Sequence, residues 1–446
     1  MENNNNKIFI HTYGCQMNLN DTEIVKSIMI EAGYEFVDKI YKANVIFLNT
    51  CTVRENAENT VHNAIKNIYQ IIKKRKYRSV VGILGCMAEH YGEKMLLYTN
   101  IVNLVAGPDE YRKLPELIKC CFENESKVAI DLSNKETYND IIPVRDNSIS
   151  AWISIMRGCN NFCSYCVVPY TRGRERSRPM NIILHEIDLL VSQNIKEITL
   201  LGQNVNNYSH NDINFPKLLE AVASTAPNVR VRFLTSHPKN MSSGLIDIIA
   251  KYDNICNYIH LPIQSGSNRI LEKMNRKYTA DHYFSLINKI REKINEVSIS
   301  TDIIAGYPTE TLKDHQATIN LIKEIRFSSA FMFYYSPREG TKAFNDIDDV
   351  PIEEKKRRLN EIIELQNKIS NEINRNKIGT QYSILIEGSS KHGNNQLMGK
   401  TKTFQTVVFD NIENKYKAGD IVTVIIKSAT SKTLKGFIIE PTIKEE

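Results

Sequence analysis

Three cysteines lie within eight consecutive residues of the segment Arg157-Gly-Cys159-Asn-Asn-Phe-Cys163-Ser-Tyr165-Cys166. Soft thiolates at this spacing suit an iron–sulfur cluster or a zinc ion. A structural zinc ion usually has four protein ligands, and neither a histidine nor a fourth cysteine lies close by in the sequence. Three thiolates on a cubane cluster leave one iron open, and an open iron can bind a small chelating molecule. The alternative for these clustered cysteines is a buried or zinc-binding group.

A second set, the dispersed cysteines, consists of Cys15, Cys51 and Cys86, which are 36 and 35 residues apart. Each of them directly follows an apolar run that predicts a strand of a parallel sheet. Because the carboxyl ends of parallel strands meet at one edge of a sheet, these cysteines could share one cluster. Gly14 and Gly85 would allow the backbone to approach a metal closely. The alternative is three independent buried cysteines.

The remaining cysteines, Cys120, Cys121 and Cys256, show no pairing pattern, and we interpret them as core or surface residues. An odd total of nine, in a chain whose polar start lacks the apolar segment of an export signal, argues against a disulfide framework. The composition is 42% hydrophobic and 24% charged, and no apolar run approaches the ~20 residues of a membrane span. We therefore expect a cytoplasmic protein that does not span a membrane.

Strand and helix patterns alternate through the first part of the 446-residue chain, which predicts a parallel α/β domain at 1–123, followed by a polar linker at 124–147. Six further strand-like runs, separated by helical stretches, lie within 148–378. These runs are Ala151–Met156, Glu197–Leu201, Arg230–Leu234, Asn257–Leu261, Ser298–Ile304 and Ser329–Tyr335. Six such steps predict an open barrel, because a closed eight-fold barrel typically needs ~250 residues. A helix is predicted at Pro351–Lys377, and 379–446 is predicted to form a small antiparallel β-barrel.

Several polar or small residues stand at the carboxyl ends of the predicted barrel strands, where ligands bind in such folds. They are Gln203, Gln264 and the segment Ile304-Ala-Gly306. Each of them alone could equally be a turn or a helix cap, but their shared location favours a ligand site.

Basic residues cluster in all three predicted domains, although the net charge of +6 is itself a weak indication. Directly after the clustered cysteines, four arginines face only Glu175: Arg172, Arg174, Arg176 and Arg178. Lys400 and Lys402 belong to a further basic set in the C-terminal domain. Such patches suit a folded RNA that is held mainly through its phosphates. Solvated surface is the alternative, but unpaired like charges beside a metal site favour the RNA interpretation.

The spacing of the clustered cysteines, with an aromatic residue before the last of them, resembles the radical S-adenosylmethionine superfamily. The resemblance implies a 4Fe–4S cluster whose open iron chelates S-adenosylmethionine. An electron from the reduced cluster would cleave its S–C bond and give a 5′-deoxyadenosyl radical that abstracts a hydrogen atom. The resemblance also implies the residues that contact this cofactor: Tyr165, Gln203, Gln264, Ile304 and Gly306.

Further motifs are similar to those of the methylthiotransferases, in the MiaB-type tRNA branch. They are Tyr13-Gly-Cys15-Gln-Met-Asn18, Asn49-Thr-Cys51-Thr-Val-Arg54, Gly85-Cys86-Met-Ala88, Cys166-Val-Val-Pro-Tyr-Thr-Arg172-Gly and Tyr335-Ser-Pro-Arg338-Glu-Gly-Thr. The similarity extends over nearly the whole chain. It implies an auxiliary 4Fe–4S cluster on the dispersed cysteines and a C-terminal TRAM domain that grips RNA.

The family resemblance implies insertion of a methylthio group at C2 of N6-isopentenyladenosine, at position 37 of tRNA, with two molecules of S-adenosylmethionine. The partners would be the anticodon stem–loop of tRNA, a reducing electron donor and a sulfur source that the sequence leaves open. Gln16-Met17, directly after the first cysteine, favours this substrate. The alternatives are threonylcarbamoyladenosine of tRNA, an aspartate of a ribosomal protein, or a non-enzymatic iron–sulfur sensor that binds RNA.

Overall fold

In a computed structural model of the chain, the structure describes residues 6–52, 55–75, 77–98, 100–146, 148–390, 393 and 395–439. Arg54, at the end of one motif given above, and the last part of the predicted C-terminal domain, from residue 440, lie outside the described residues. Within them, no helix combines the length and the apolar character needed to cross a membrane.

The N-terminal domain is a six-stranded sheet in the order β2-β1-β3-β4-β5-β6, and all its pairings are parallel. Its strands are β1 (Lys7–Thr12), β2 (Glu35–Phe36), β3 (Val45–Thr50), β4 (Val80–Gly85), β5 (Leu104–Ala106) and β6 (Lys127–Ala129). Its helices are α1 (Gln16–Glu31), α2 (Glu55–Ile72), α3 (Cys86–Tyr91), α4 (Lys94–Tyr98) and α5 (Leu114–Phe122). Every residue of β3 and β4 is buried, as in the centre of a parallel sheet with helices on both faces.

Helix α1 begins at Gln16, and Cys15 is its N-cap residue. The carboxylate of Asp21, on this helix, is fully buried and ion-paired. One prediction for this domain is wrong in detail. Strand β6 lies within the segment predicted as a linker and pairs with β5 at the sheet edge.

The second domain contains six main parallel strands in two groups of three, and an isolated bridge between Val231 and Ile255 joins the groups. The strands of this domain are β7 (Ser150–Ser154), β8 (Met156–Arg157), β9 (Arg176–Ser177), β10 (Glu197–Leu201), β11 (Ser209–His210), β12 (Ile213–Asn214), β13 (Arg230–Phe233), β14 (Tyr258–His260), β15 (Ser298–Ala305) and β16 (Ser329–Tyr334). Among the described residues no pairing joins the first main strand, β7, to the last, β16. The open six-step barrel is therefore confirmed.

The helices of this domain surround the strands, and their apolar faces form one large core with them. They are α6 (Val168–Thr171), α7 (Met180–Ser192), α8 (Phe215–Thr225), α9 (Ser243–Lys251), α10 (Asn268–Lys273), α11 (Ala280–Lys293), α12 (Leu312–Ile325) and α13 (Ile352–Arg375). Helix α13 matches the predicted helix to within two residues at each end, because Pro351 suits a helix start and Ile362 and Ile369 supply a buried face.

The C-terminal domain is a closed five-stranded barrel. Its strands are β17 (Gln381–Ser389), β18 (Gln396–Lys400), β19 (Thr406–Asp410), β20 (Ile421–Ala429) and β21 (Thr433–Ile438). The predicted small barrel is confirmed, although the β19–β21 pairing is parallel. A turn joins strands β18 and β19.

That turn, residues 401–405, attaches the C-terminal barrel to the amino ends of the strands of the second domain. Two buried arginines on β13 donate to its backbone: Arg230 to the carbonyl oxygen of Lys400, at 2.8 Å, and Arg232 to the carbonyl oxygens of Thr401 and Lys402, each at 2.8 Å. Arg232 also pairs with Glu197 at 2.8 Å. The C-terminal barrel therefore lies at the opposite end of the strands from the loop that carries the clustered cysteines.

Candidate active site

The dispersed cysteines come together at the carboxyl edge of the N-terminal sheet, as predicted. They follow three neighbouring strands, β1, β3 and β4. A hydrogen bond from Cys51 lowers the pKa of Cys15, and Cys15 adds to the effect of burial in raising the pKa of Cys86. Cys51 and Cys86 are buried, whereas Cys15 is exposed.

Gly14 and Gly85 make this convergence possible. Both have positive φ angles, +114° and +87°. A Cβ atom on Gly14 would lie only 2.4 Å from the Cβ of Cys51, and one on Gly85 would lie 2.7 Å from the carbonyl oxygen of Thr50. The strand ends can pack against one another only because glycine occupies these two positions, since a larger residue would clash there.

The clustered cysteines occupy the loop that follows β8. Burial raises the pKa of Cys159 to about 11, and Cys163 adds to that increase. Burial also raises the pKa of Cys166, again with a contribution from Cys163. Cys159 is buried and the other two are half-buried. The three thiols therefore share one site and would repel one another as thiolates unless a cationic centre bound them.

Both groups suit a metal–sulfur cluster with one open iron. Each offers three thiols, and each has a buried guanidinium at one sulfur: Arg172 Nε lies 3.1 Å from Cys86 Sγ, and Arg276 Nη1 lies 3.4 Å from Cys163 Sγ. Such donors stabilise the negative charge of a thiolate-bound cluster. Among the described residues, no three His, Cys, Asp or Glu side chains are grouped tightly enough for a single metal ion. Cluster ligands stand further apart, because they bind different irons.

A cavity of about 470 Å³, here called the central cavity, has residues of both cysteine-bearing segments in its lining. Cys166 of the clustered cysteines lines it, and so does Thr52, the neighbour of Cys51. The rest of its wall comes from Tyr165, Val167, Gln264, Asp302, Ile304, Met332, Phe333, Tyr334, Tyr335, Ser336, Arg338 and Leu359. A separate cavity of about 350 Å³, under the segment 142–148 and α7, contains no cysteine.

The structure places three of the five predicted cofactor residues on the central cavity: Tyr165, Gln264 and Ile304. The other two have different positions. Gln203 accepts a hydrogen bond from the backbone N–H of Gly158 at 2.6 Å and so supports the start of the cysteine loop. Gly306 packs against α13, where an added Cβ would lie 2.4 Å from the Cγ of Lys355.

Five buried charged side chains join the first two domains, here called the arginine–aspartate network. Asp21 of α1 accepts hydrogen bonds from Arg157 at 2.9 Å and from Arg172 at 2.8 Å. Asp109 accepts one from Arg176 at 2.9 Å and lies 3.7 Å from Arg157. Three guanidinium groups face two carboxylates, so the network carries one net positive charge beside Cys86.

The prediction that the arginines after the clustered cysteines are unpaired is wrong. Arg172, Arg176 and Arg178 are 3%, 6% and 5% exposed, and the partners of the first two lie far away in the sequence. Arg178 pairs with Glu186 on α7 at 2.9 Å, and the other two belong to the arginine–aspartate network. In this conformation none of the three presents its guanidinium to an RNA phosphate.

The remaining predicted RNA contacts differ in exposure. Arg174 is exposed, and its guanidinium lies 4.4 Å from the ring centroid of Phe162. Lys400 is half-buried and donates to the hydroxyl of Thr406 at 2.7 Å. Lys402 is exposed but donates to the backbone oxygen of Asp253 at 2.8 Å. Both lysines thus lie at the junction between the second and third domains.

Sequence reasoning gave no role to Arg157, Arg276 or Thr52. Arg157 is buried beside the carboxylate of Asp21, and Arg276 is buried beside the thiol of Cys163. Thr52 lines the central cavity. A pattern in the sequence could have suggested Thr52, because it directly follows a cysteine of the proposed cluster. The partners of the two arginines come from distant segments and leave no local signal.

Family models match three consecutive segments of the chain. They are "Uncharacterized protein family UPF0004" over residues 7–107, "Radical SAM superfamily" over 153–322 and "TRAM domain" over 375–439. The solved structure of the radical S-adenosylmethionine methyltransferase TsrM from Kitasatospora setae has a similar fold, with a TM-score of 0.59, 13% identity, and coverage of 76% of this chain and 77% of that one. The cobalamin-dependent radical enzyme OxsB gives a TM-score of 0.54 at 12% identity, over 81% of this chain and 56% of that one.

Fold and site together define an enzyme of the radical S-adenosylmethionine class. A relative from Chloroherpeton thalassium is 49% identical over 433 residues, which cover 96% of this chain and 95% of the relative. One from Bacteroides thetaiotaomicron is 48% identical over 440 residues, 97% of this chain and 96% of the relative. Both are named tRNA-2-methylthio-N6-dimethylallyladenosine synthase. The chain belongs to this family, and the family prediction is confirmed.

Proposed function

We propose that the protein converts N6-isopentenyladenosine at position 37 of tRNA to its 2-methylthio derivative, with two molecules of S-adenosylmethionine and two 4Fe–4S clusters. The observation that carries this proposal is the central cavity, whose lining includes both Cys166 and Thr52, the neighbour of Cys51. Membership of the synthase family supports the choice of substrate. A tRNA substrate also supports a cytoplasmic location, and reductive cleavage of S-adenosylmethionine would need an external electron donor.

The C2–H bond of adenosine is strong and unactivated, so removal of this hydrogen by a general base is implausible. When bound, the two clusters and S-adenosylmethionine supply the electron, the hydrogen-abstracting radical and the sulfur. The contribution of the chain is to bring the reactants together and to exclude water. The dispersed cysteines and the clustered cysteines would each hold one cluster on a side of the central cavity.

Within the central cavity, we assign Tyr165, Gln264 and Ile304 to S-adenosylmethionine, since they line it next to Cys166. Gln264 is fixed by its backbone, because its N–H donates to Asp302 and its carbonyl accepts from Ile304, each at 2.9 Å. The remaining wall is largely aromatic and aliphatic, which suits a purine with an apolar substituent.

The basic surface that would hold the anticodon stem–loop is smaller than the sequence indicates. Arg174 remains exposed beside the clustered cysteines. The C-terminal barrel also exposes a set of lysines: Lys415, Lys417, Lys427, Lys432 and Lys435. Phosphate contacts from these side chains would make the binding of RNA strongly dependent on salt.

A reconstituted assay tests the proposed function. Reduced protein is incubated with S-adenosylmethionine and with tRNA that carries N6-isopentenyladenosine, and the nucleosides are analysed by mass spectrometry. We expect the 2-methylthio derivative together with 5′-deoxyadenosine. Modification of threonylcarbamoyladenosine or of a ribosomal protein in its place would contradict the substrate. Failure to form 5′-deoxyadenosine would favour the sensor.

Arg174→Ala tests the proposed RNA surface. We expect it to weaken binding of the anticodon stem–loop roughly fivefold or more, because a contact with a base or a stacking platform contributes about 1–3 kcal/mol. The ring of Phe162 would form the platform below it, and the exposed Tyr170 supports Phe162 through an edge contact, with ring centroids 5.8 Å apart. Fluorescence anisotropy measures the affinity. Lys293→Ala, an exposed cation on α11, is the control, and equal affinities of the two variants would contradict the assignment.

A further inference from the structure

Thr52 combines complete burial with a hydroxyl that is unpaired within the described part of the chain. It directly follows Cys51 and its side chain is 0% exposed. Its Oγ1 has no hydrogen-bond partner among the described residues. A buried hydroxyl without a partner is destabilising, and such groups in folded proteins generally indicate a partner present in the working state.

The position of Thr52 indicates where such a partner would lie. Thr52 is one of the residues that line the central cavity, together with Cys166. Its backbone continues directly from Cys51, a residue of the dispersed cysteines. The missing partner therefore belongs at the boundary between the cluster that these cysteines would hold and the cavity.

The charges around the dispersed cysteines indicate the chemistry of this partner. The arginine–aspartate network carries one net positive charge, and Arg172 reaches Cys86 Sγ at 3.1 Å. The lining of the central cavity is mainly apolar and aromatic, and its one carboxylate, Asp302, is balanced by one guanidinium, Arg338. A site with net positive charge suits an anion. A hydroxyl donor in partly apolar surroundings suits an anion that accepts the hydrogen bond through a soft, polarisable atom.

We propose that the hydroxyl of Thr52 donates a hydrogen bond to an anionic sulfur ligand, sulfide or an alkanethiolate, bound at the open iron of the dispersed-cysteine cluster. This inference rests on the proposed function. It identifies the Thr52 hydroxyl as the group that orients the transferred sulfur toward the substrate. The hydrogen bond fixes the orientation of the ligand and stabilises its charge on the side that faces the clustered cysteines.

The test measures binding, not turnover. The protein with both clusters is titrated with sodium methanethiolate, in the presence of saturating S-adenosylmethionine to occupy the other open iron, and binding is followed by electron paramagnetic resonance. Thr52→Val, which has nearly the same shape, is expected to weaken binding roughly ten- to hundredfold, since a hydrogen bond to a charged group is lost. Thr52→Ser should bind as the wild-type protein does.

Matched measurements keep this test decisive. Iron and sulfide contents of Thr52→Val should equal those of the wild-type protein, and Thr403→Val, a buried threonine in the turn at the opposite end of the strands, should bind methanethiolate normally. In the wild-type protein alone, electron–nuclear double resonance should detect a solvent-exchangeable proton coupled to the thiolate-bound cluster. Unchanged affinity in Thr52→Val, or no such proton, would overturn the inference.

Failure of the proposed function gives a different result. If the wild-type protein binds methanethiolate through Thr52 but forms no methylthio nucleoside, the substrate assignment is wrong while the hydrogen bond stands. If methylthio nucleoside forms and Thr52→Val binds methanethiolate normally, the function stands and the role of Thr52 is wrong.

Discussion

Replacing Cys159, Cys163 and Cys166 together with alanine is expected to abolish formation of 5′-deoxyadenosine while leaving roughly half of the bound iron, because the second cluster has its own three ligands. Replacing Cys15, Cys51 and Cys86 should also leave roughly half of the iron. This second variant should still cleave S-adenosylmethionine but should form no methylthio nucleoside. Iron and sulfide analysis, with chromatography of the two products, measures both effects.

Cys256→Ala is the control for these variants, since Cys256 is buried but distant in the sequence from both groups. It should retain all the iron and both activities. Loss of all the iron in either triple variant would contradict two separate clusters and would indicate a single one shared by all six cysteines.

Asp21→Ala is expected to lower the stability of the protein by about 3–5 kcal/mol, because it leaves two buried guanidinium groups without their shared carboxylate. Asp21 is fully buried, and its two oxygens accept from Arg157 and Arg172, which are themselves 1% and 3% exposed. Such a loss should appear as a clear decrease in the denaturant concentration at the midpoint of unfolding. A spectroscopic signal from the first two domains measures this midpoint.

Glu372→Ala provides the comparison, because Glu372 pairs with Arg326 at 2.7 Å and both side chains are almost half exposed. Removing this surface pair should change the stability by less than about 1 kcal/mol. The stability of Asp21→Asn, which keeps the shape of the side chain but not its charge, should lie between those of Asp21→Ala and Glu372→Ala. A stability of Asp21→Ala similar to that of Glu372→Ala would mean that the arginine–aspartate network is solvated.

Much of the fold could be predicted because it depends on local patterns. The continuous apolar runs at β3 and β4 and the apolar face of α13 each signal their own secondary structure. The meeting of Cys15, Cys51 and Cys86 followed from the geometry of parallel strands, which needs only the order of strand and loop. Strand β6 was missed because three residues at a sheet edge carry too short a pattern.

The roles of the arginines could not be predicted, because they depend on partners from other domains. In the sequence, Arg172 and Arg176 follow a metal motif with one glutamate between them, and nothing marks Asp21 or Asp109 as their counterparts. Gln203 and Gly306 stand at strand ends as expected, but only the tertiary packing shows that one supports a loop and the other contacts a helix.

If the exposed lysines of the C-terminal barrel bind the RNA as proposed, the attachment of this barrel to the amino ends of the strands sets a minimum size for the nucleic acid. Strand β10 alone has five residues, so the two ends of the second domain are separated by at least about 17 Å. A free nucleoside would reach the central cavity without touching the C-terminal barrel. An RNA that is bound both at the cavity and at the barrel must run along the side of the second domain. Shortening the stem of a model hairpin should therefore raise KM well before it lowers kcat.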